Sequence, residues 1–206
     1  MTKLTTAAAL AITVLAAAGC TVRSTVPVAR SAPLGTTDVA APVQTQAPYA
    51  QAYRIRDIRV NVPDSLRVSE ANSYYPNADI VWRGDAPGDR HEQVAAIFEE
   101  ALGRGAVRLN AGKEVDVEIE VLRFHSLTEK TRYTIGGVHS IKFEMTMIDP
   151  QTGAVLESRK IVADLKAYGG TKAVAMEAKG WGQKARITQH LANTFAAELS
   201  AGSAAG

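Results

Sequence analysis

The chain has 206 residues, of which 46% are hydrophobic and 21% are charged. Its 23 Lys and Arg side chains nearly balance its 21 Asp and Glu side chains, which argues against a nucleic-acid-binding protein. Its single cysteine cannot form a disulfide within the chain or build a cysteine-based zinc site, so packing and hydrogen bonds must hold the fold.

The first twenty residues have the pattern of a secretory leader. Lys3 gives a positive start, an apolar run extends from Ala7 to Ala18, and Gly19-Cys20 follows it. The run is too short to span a bilayer stably. Gly19-Cys20 resembles the lipobox of bacterial lipoproteins, in which the cysteine sulfur receives a diacylglycerol before cleavage. Ordinary signal-peptidase cleavage at Ala16-Ala17-Ala18 stays an alternative, and it would release a soluble protein.

The lipobox resemblance implies a signal peptide at residues 1–19 and lipid attachment, with palmitate-type chains, at Cys20. It implies a lipid-anchored protein of the bacterial cell envelope that faces the periplasm. Thr21 is not acidic, and by the sorting rule of such lipoproteins this favours the outer membrane over the inner one. Because each buried methylene contributes about 0.8 kcal/mol, two or three chains on one cysteine would anchor the protein firmly.

The next segment, residues 20–52, has the composition of a disordered tether. Four of the eight prolines lie in it, and its charged residues are few. Such a segment cannot bury enough apolar surface to offset its ordering entropy. As a coil it would span about 30 Å. We therefore expect one α+β domain at residues 53–200, followed by a disordered tail at 201–206.

The first half of the domain is predicted as short strands followed by a helix. Ile58, Val60 and Val62 alternate with polar residues, and Ile55 is out of phase with them, which predicts a bulge near Asp57. Short strands are predicted at 66–68 and 80–82. A helix is predicted after Asp89, which can cap it, and Gly103 or Gly105 is expected to end it.

Three alternating runs then predict long strands at residues 115–121, 141–147 and 161–165. A hairpin turn at 149–153 and a connection at 135–138 would join them into a meander. A helical stretch from Thr171 to Lys179 should be interrupted around Trp181, before a last helix that contains residues 187–199. The predicted fold is α+β: an antiparallel sheet, formed by the meander and the N-terminal strands, with two main helices on one face.

No catalytic or metal-binding motif is present. The four histidines, His91, His125, His139 and His190, have no metal-ligand spacing and are expected on the surface or in loops. The sequence lacks nucleotide-binding and nucleophile-elbow fingerprints, so no cofactor is expected and a non-enzymatic role is favoured. A hydrolase would require His125 or His139 to meet a serine and a carboxylate within hydrogen-bond reach.

Two charged stretches can be interpreted as solvated faces or as binding surfaces. Glu114, Asp116, Glu118 and Glu120 form an acidic row that could bind a cation, or could pair across strands. The cross-strand partners expected for it are Lys142, Arg159, Lys160 and Lys166. A basic C-terminal stretch could form a solvated helix face, or could contact anionic lipid head groups or peptidoglycan. It contains Lys172, Lys179, Lys184 and Arg186.

Large aromatic residues and glycines together suggest a shallow groove for a peptide or a glycan, although ordinary packing at the edge of the core is an alternative. Tyr74-Tyr75 and Trp82 are further aromatic residues of loops and edges. The candidate groove consists of Tyr133, Gly136, Gly137, Tyr168, Gly169, Gly170 and Trp181.

Four segments of the domain resemble an uncharacterised family of alphaproteobacterial lipoproteins, a domain of unknown function. They are residues 53–57, 78–85, 122–130 and 163–170. The resemblance brings no activity, substrate or catalytic residue. The leading hypothesis is a non-enzymatic envelope lipoprotein, anchored through Cys20, whose domain contacts an envelope protein or peptidoglycan. The alternatives are a periplasmic peptide- or glycan-binding module and a hydrolase.

Overall fold

The computed structural model describes residues 53–107 and 112–200. The leader, lipid attachment site, tether and tail predicted at 1–52 and 201–206 lie outside the described residues. The elements in chain order are β1 Tyr53–Asn61, β2 Ile80–Val81, α1 Arg90–Ala106, β3 Lys113–His125, α2 Glu129–Arg132, β4 Gly137–Ile148, β5 Val155–Val162, β6 Leu165–Ala167, α3 Gly170–Glu177 and α4 Gln183–Ser200. None of the helices in these ranges is both long enough and apolar enough to cross a membrane.

The strands form one six-stranded sheet in the order β1-β3-β4-β5, in which β2 also pairs with β3 and β6 with β4. The α+β class and the antiparallel β3-β4-β5 meander are confirmed. The two N-terminal strands differ from the expectation because both run parallel to β3. The chain passes through α1 between β1 and β3, and a helical crossover of this kind returns a strand in the same direction.

The strands contain two irregularities, of which the sequence predicted the first but not the second, since 161–165 was expected to be one strand. The register of β1 against β3 shifts between Ile55 and Asp57, which confirms the predicted bulge. The third strand of the meander is interrupted at Asp164, whose side chain accepts a hydrogen bond from the backbone N–H of Ile141 at 3.0 Å. β5 and β6 therefore pair with two successive parts of β4.

Helix α1 begins as the sequence predicts and ends later. Asp89 is its N-cap and accepts hydrogen bonds from the backbone N–H groups of His91 and Glu92. The expectation that Gly103 or Gly105 ends the helix is wrong, because both lie inside it. A Cβ atom at position 105 would come within 2.7 Å of the Ala192 carbonyl oxygen, whereas one at 103 would meet nothing within 4 Å. Gly105 therefore permits the close approach of α1 and α4.

The core lies between one face of the sheet and the helices α1 and α4. At its centre the rings of Phe98, Phe143 and Phe195 pack against one another, with centroid distances of 5.2–6.2 Å. Trp82 directly follows β2, as a loop or edge aromatic would, but it is fully buried in the core. Its indole N–H donates to Asp85 Oδ2 at 2.9 Å, which satisfies the buried ring nitrogen.

The acidic row lies on β3, and it pairs with β1 rather than with the basic residues expected from the later strands. Arg54 pairs with Glu114, Arg56 with Asp116, and Arg59 with Glu118. Hydrogen bonding to Arg56 holds the pKa of Asp116 below its usual range, against a smaller effect of burial. The parallel placement of β1 explains the difference, because it brings three arginines beside three carboxylates of β3.

Candidate functional site

A mostly apolar concavity with a volume of about 500 Å³ lies beneath the loop that precedes β2. We call this concavity the tyrosine pocket. Its apolar lining comes from Tyr74, Tyr75, Leu127, Ile135 and Val138. Several polar side chains also face it. They are His125, Ser126, Thr131, Ser140 and Asp164. A mostly apolar concavity with a few convergent polar groups is the usual form of a binding site.

The loop above the pocket is fixed by hydrogen bonds with α2 and its N-cap residue, Thr128. Thr128 Oγ1 donates to the Ser73 carbonyl at 2.7 Å, and Thr131 Oγ1 donates to the Tyr74 carbonyl at 2.8 Å. The side chain of Asn72 accepts from the Lys130 backbone N–H at 2.8 Å. Because these bonds hold the backbone itself, the tyrosines are presented in one fixed arrangement.

Tyr75 combines high exposure with a fixed ring. Its side chain is 71% exposed, yet its ring stacks on His125 with centroids 4.5 Å apart and its hydroxyl accepts from Arg123 at 2.9 Å. His125 Nε2 bonds to the Pro76 carbonyl oxygen at 3.0 Å. Burial lowers the pKa of His125, so the imidazole is neutral near pH 7 and its Nε2–H can donate this bond.

The structure divides the predicted groove between two concavities. Gly136 and Gly137 line the tyrosine pocket, whereas Tyr168 and Trp181 line a second, more open concavity of about 330 Å³. Tyr133 lines neither of them. Its ring lies against the Arg132 guanidinium at 4.7 Å, and its hydroxyl donates to Glu177 at 3.1 Å.

The glycines of the predicted groove have a packing role. A Cβ atom at Gly169 would come within 2.2 Å of the Gly136 backbone nitrogen, and one at Gly136 within 2.9 Å of the Gly169 nitrogen. The two loops therefore touch through their backbones. Gly136 and Gly170 also have φ angles of +73° and +56°, which favour glycine. This contact joins the loop that lines one concavity to the loop that lines the other.

The second concavity is built around Tyr168 and Trp181. Two cations lie against the Tyr168 ring, with Lys172 Nζ at 4.3 Å and Arg186 Cζ at 3.8 Å from its centroid. Trp181 follows α3 and is 47% exposed. Its backbone N–H donates to the Met176 carbonyl at 2.8 Å, and Gly180, with φ +77°, completes the turn. This is the arrangement of a Schellman motif, which fixes the residue that follows the helix. The interruption predicted around Trp181 is confirmed.

A serine and a histidine meet beneath the tyrosine pocket. Ser126 Oγ lies 3.0 Å from His139 Nδ1, and the two side chains are 2% and 1% exposed. With its Nε2 toward Ser126, the Gln183 amide donates to Oγ at 3.2 Å while its Oε1 accepts from Arg132 and from the Gly84 N–H. Ser126 then donates to Nδ1, so His139 carries its proton on Nε2.

This pair lacks the other features of a nucleophile and base. Burial lowers the pKa of His139 to about 3, and the charges of Arg186 and Arg132 act in the same direction. Among the described residues, 53–107 and 112–200, no carboxylate forms a hydrogen bond with His139. A general base works best with a pKa near the operating pH and with a third group that orients it.

The expectation of surface or loop histidines is wrong for two of the four. His125 and His139 are buried at the ends of β3 and β4, because each finds a hydrogen-bond partner there. Within the described ranges no three His, Cys, Asp or Glu side chains are grouped so that they could hold a metal ion. Sequence reasoning did not assign Tyr74 and Tyr75 to the groove. Their position before Pro76 gives no indication that the loop folds back onto β3.

No curated protein matches this chain. Among solved structures, protein XCC0632 of Xanthomonas campestris, from family DUF330, is 14% identical with a TM-score of 0.46, covering 75% of this chain and 88% of its own. A PelC dodecamer from Paraburkholderia phytofirmans is 15% identical with a TM-score of 0.35, covering 73% and 90%. A protein of Caulobacter crescentus CB15 described as a "putative lipoprotein" is 12% identical with a TM-score of 0.33, covering 52% and 80%.

One sequence family matches most of the chain. It is described as a family of unknown function, DUF6778, and the match spans residues 53–205. This range contains every described strand and helix, and the resemblance to a domain of unknown function is thereby confirmed. The chain belongs to the DUF6778 family.

Proposed function

We propose that the protein is a non-enzymatic binding module of the bacterial cell envelope, anchored by lipid at Cys20, which captures a segment of a partner polypeptide in the tyrosine pocket. The observation that carries this proposal is the mostly apolar pocket beneath a loop whose backbone is tied down at several points. A pocket that is already formed binds with a smaller entropic cost than one that must be ordered.

The lining favours a polypeptide over a glycan. Leu127, Ile135 and Val138 present aliphatic groups beside the two tyrosine rings, and such a lining suits an apolar or aromatic side chain. Tyrosine is frequent at binding sites because its ring is rigid and its hydroxyl can form hydrogen bonds. Several polar groups of the lining are already engaged within the protein, since Ser126 bonds to His139, Thr131 to the Tyr74 carbonyl and Asp164 to the Ile141 N–H, and this leaves fewer partners for sugar hydroxyls.

The chemistry of the Ser126–His139 pair supports a non-enzymatic role. A histidine with a pKa of about 3 is a weak base at neutral pH, and the nearby charges that act on it are cationic. A buried imidazole that accepts one hydrogen bond is a typical structural arrangement. The hydrolase hypothesis would need a carboxylate hydrogen-bonded to His139, and none of the residues that the structure describes provides one.

The envelope location rests on the sequence, because residues 1–52 carry the leader pattern and Gly19-Cys20. The lipobox resemblance supports lipid attachment, with the outer membrane favoured by Thr21. Acyl chains would hold the domain at a membrane surface, where a tether of about 30 Å would let it reach a partner.

In-cell photo-crosslinking at Tyr75 tests the proposal. The full chain would carry p-benzoylphenylalanine in place of Tyr75, and the matched control would carry it in place of Lys160, which is exposed on β5. We expect irradiation to give a discrete polypeptide adduct at 75 and none at 160, with the adduct lost when Ile135→Asp charges the pocket. Equal adducts at both positions, or no adduct at 75, would contradict the proposal. An adduct that contains glycan would favour the glycan-binding alternative.

A further inference from the structure

The surface around the second concavity carries an excess of positive charge. Between residues 164 and 186 there are five basic side chains and two acidic ones. Glu177 forms an ion pair with Arg132 at 3.2 Å, and Lys184 forms one with Asp85 at 2.7 Å. The ion pairs of the described residues leave Lys166, Lys172 and Lys179 without a carboxylate partner. This surface therefore presents cations that nothing in the described structure neutralises.

An exposed tryptophan lies beside these cations. Trp181 is 47% exposed at the turn that follows α3, two residues after Lys179. Lys172 lies in α3, and its Nζ is 4.3 Å from the centroid of the Tyr168 ring, which lines the concavity together with Trp181. We call Tyr168, Lys172, Lys179 and Trp181 the Trp181 surface.

This combination matches the chemistry of a bilayer interface. Amphipathic aromatic rings are favoured at the level of the lipid head groups, and lysine stems can lie along apolar surface while their ammonium groups reach phosphates. Each lysine near an anionic leaflet contributes about 1 kcal/mol. The Trp181 backbone N–H donates to the Met176 carbonyl, which fixes the point from which the indole ring leaves the turn.

We propose that the Trp181 surface docks the domain onto the head groups of an anionic bilayer. Charge complementarity is the main argument: the unpaired lysines match lipid phosphates, while the indole ring enters the interfacial layer. The contact orients the domain, so that the Trp181 surface faces the membrane. It is a function separate from the tyrosine pocket, and it does not require that Cys20 be acylated in the cell.

The single cysteine allows a test that is independent of natural lipidation. The full chain can be coupled through the Cys20 thiol to vesicles that contain a maleimide-bearing lipid, which places every molecule at a membrane surface. Two vesicle compositions are compared, neutral phosphatidylcholine and a mixture rich in phosphatidylglycerol, each with brominated acyl chains. Bromine quenches tryptophan only on close approach. The chain has two tryptophans, and Trp82 is fully buried in the core. The Trp181→Phe variant therefore measures the fluorescence and quenching of Trp82 alone.

We expect Trp181 to be quenched on the anionic vesicles and not on the neutral ones, and the quenching to fall as salt is added. The Lys172→Gln, Lys179→Gln variant should lower the ratio of docked to undocked protein at least tenfold. The matched control, Lys142→Gln with Lys160→Gln, removes the same charge from the open face of the sheet and should leave quenching unchanged.

Three results would overturn the proposal. Quenching that is equal on neutral and anionic vesicles would mean that charge has no part in docking. An equal loss of quenching in the control pair would mean that net charge matters and the Trp181 surface does not. Absence of quenching under all conditions, including a case in which the protein instead sediments with peptidoglycan, would show that this surface does not contact lipid.

Discussion

At the residue scale, the buried His139 links stability to pH. Burial holds its pKa in the folded protein at about 3, below the ordinary value of 6.5. Between these two pH values the unfolded chain binds a proton that the folded protein does not. The free energy of unfolding therefore has its full value above pH 6.5 and decreases as the pH falls toward 3.

We predict that the free energy of unfolding falls steeply between pH 6.5 and pH 5, by up to about 1.4 kcal/mol per pH unit from His139. The His139→Gln variant should be less stable at pH 7, because packing is lost, but should show a shallower decline with acid. Urea titrations of both proteins at a series of pH values measure this difference.

Two other groups with lowered pKa values do not explain a difference between the two proteins from pH 6.5 to pH 5. The pKa of Asp149 is lowered to about 2 because its side chain accepts from Lys113, so that carboxylate takes up protons only at lower pH. His125, whose pKa burial also lowers, contributes equally to both proteins. Parallel curves of stability against pH for wild type and His139→Gln would therefore contradict the assignment.

At the element scale, the contact between α1 and α4 depends on Gly105. A Cβ atom at this position would lie 2.7 Å from the Ala192 carbonyl oxygen, a backbone atom that cannot move aside as the end of a flexible side chain can. Gly103, two residues earlier in the same helix, is exposed and has open space around it. Both glycines therefore lie inside α1, but only Gly105 packs against another helix.

We predict that Gly105→Ala destabilises the protein by about 1–3 kcal/mol because the helices must separate. Gly103→Ala should stabilise it by up to about 1 kcal/mol, because alanine loses less backbone entropy in a helix. Chemical denaturation of both variants against wild type tests the pair. Equal effects in the same direction would show that the contact between the helices does not distinguish these positions.

The helix and strand positions follow from local signals, and the limits of those signals explain the errors. Asp89 with Glu92 locates the start of α1, and the alternation around Ile58 locates the bulge near Asp57. Gly105 resembles a helix stop in sequence, since the same residue type serves to end a helix and to let two helices approach. Only the position of Ala192 on α4 distinguishes the two uses.

At the scale of the whole molecule, the sequence predicted the class of the fold more reliably than the arrangement of its sites. The meander follows from three alternating runs, but the parallel direction of β1 follows from the crossover through α1, which the alternation within β1 does not encode. The tyrosine pocket likewise depends on hydrogen bonds from Thr128 and Thr131 to a loop more than fifty residues earlier. Contacts at that separation leave no local pattern.

The last prediction concerns the proposed lipid anchor at Cys20. We expect the wild-type chain to incorporate labelled palmitate and to fractionate with membranes, because Gly19-Cys20 resembles a lipobox. Cys20→Ser should abolish both. The control, Cys20→Ser with Thr21→Cys, keeps one thiol but shifts it by one residue, and it should also stay unlabelled if the position after Gly19 is what the acylating enzyme recognises. An unlabelled wild-type protein that begins at Gly19 would instead mean ordinary signal-peptidase cleavage and a soluble domain.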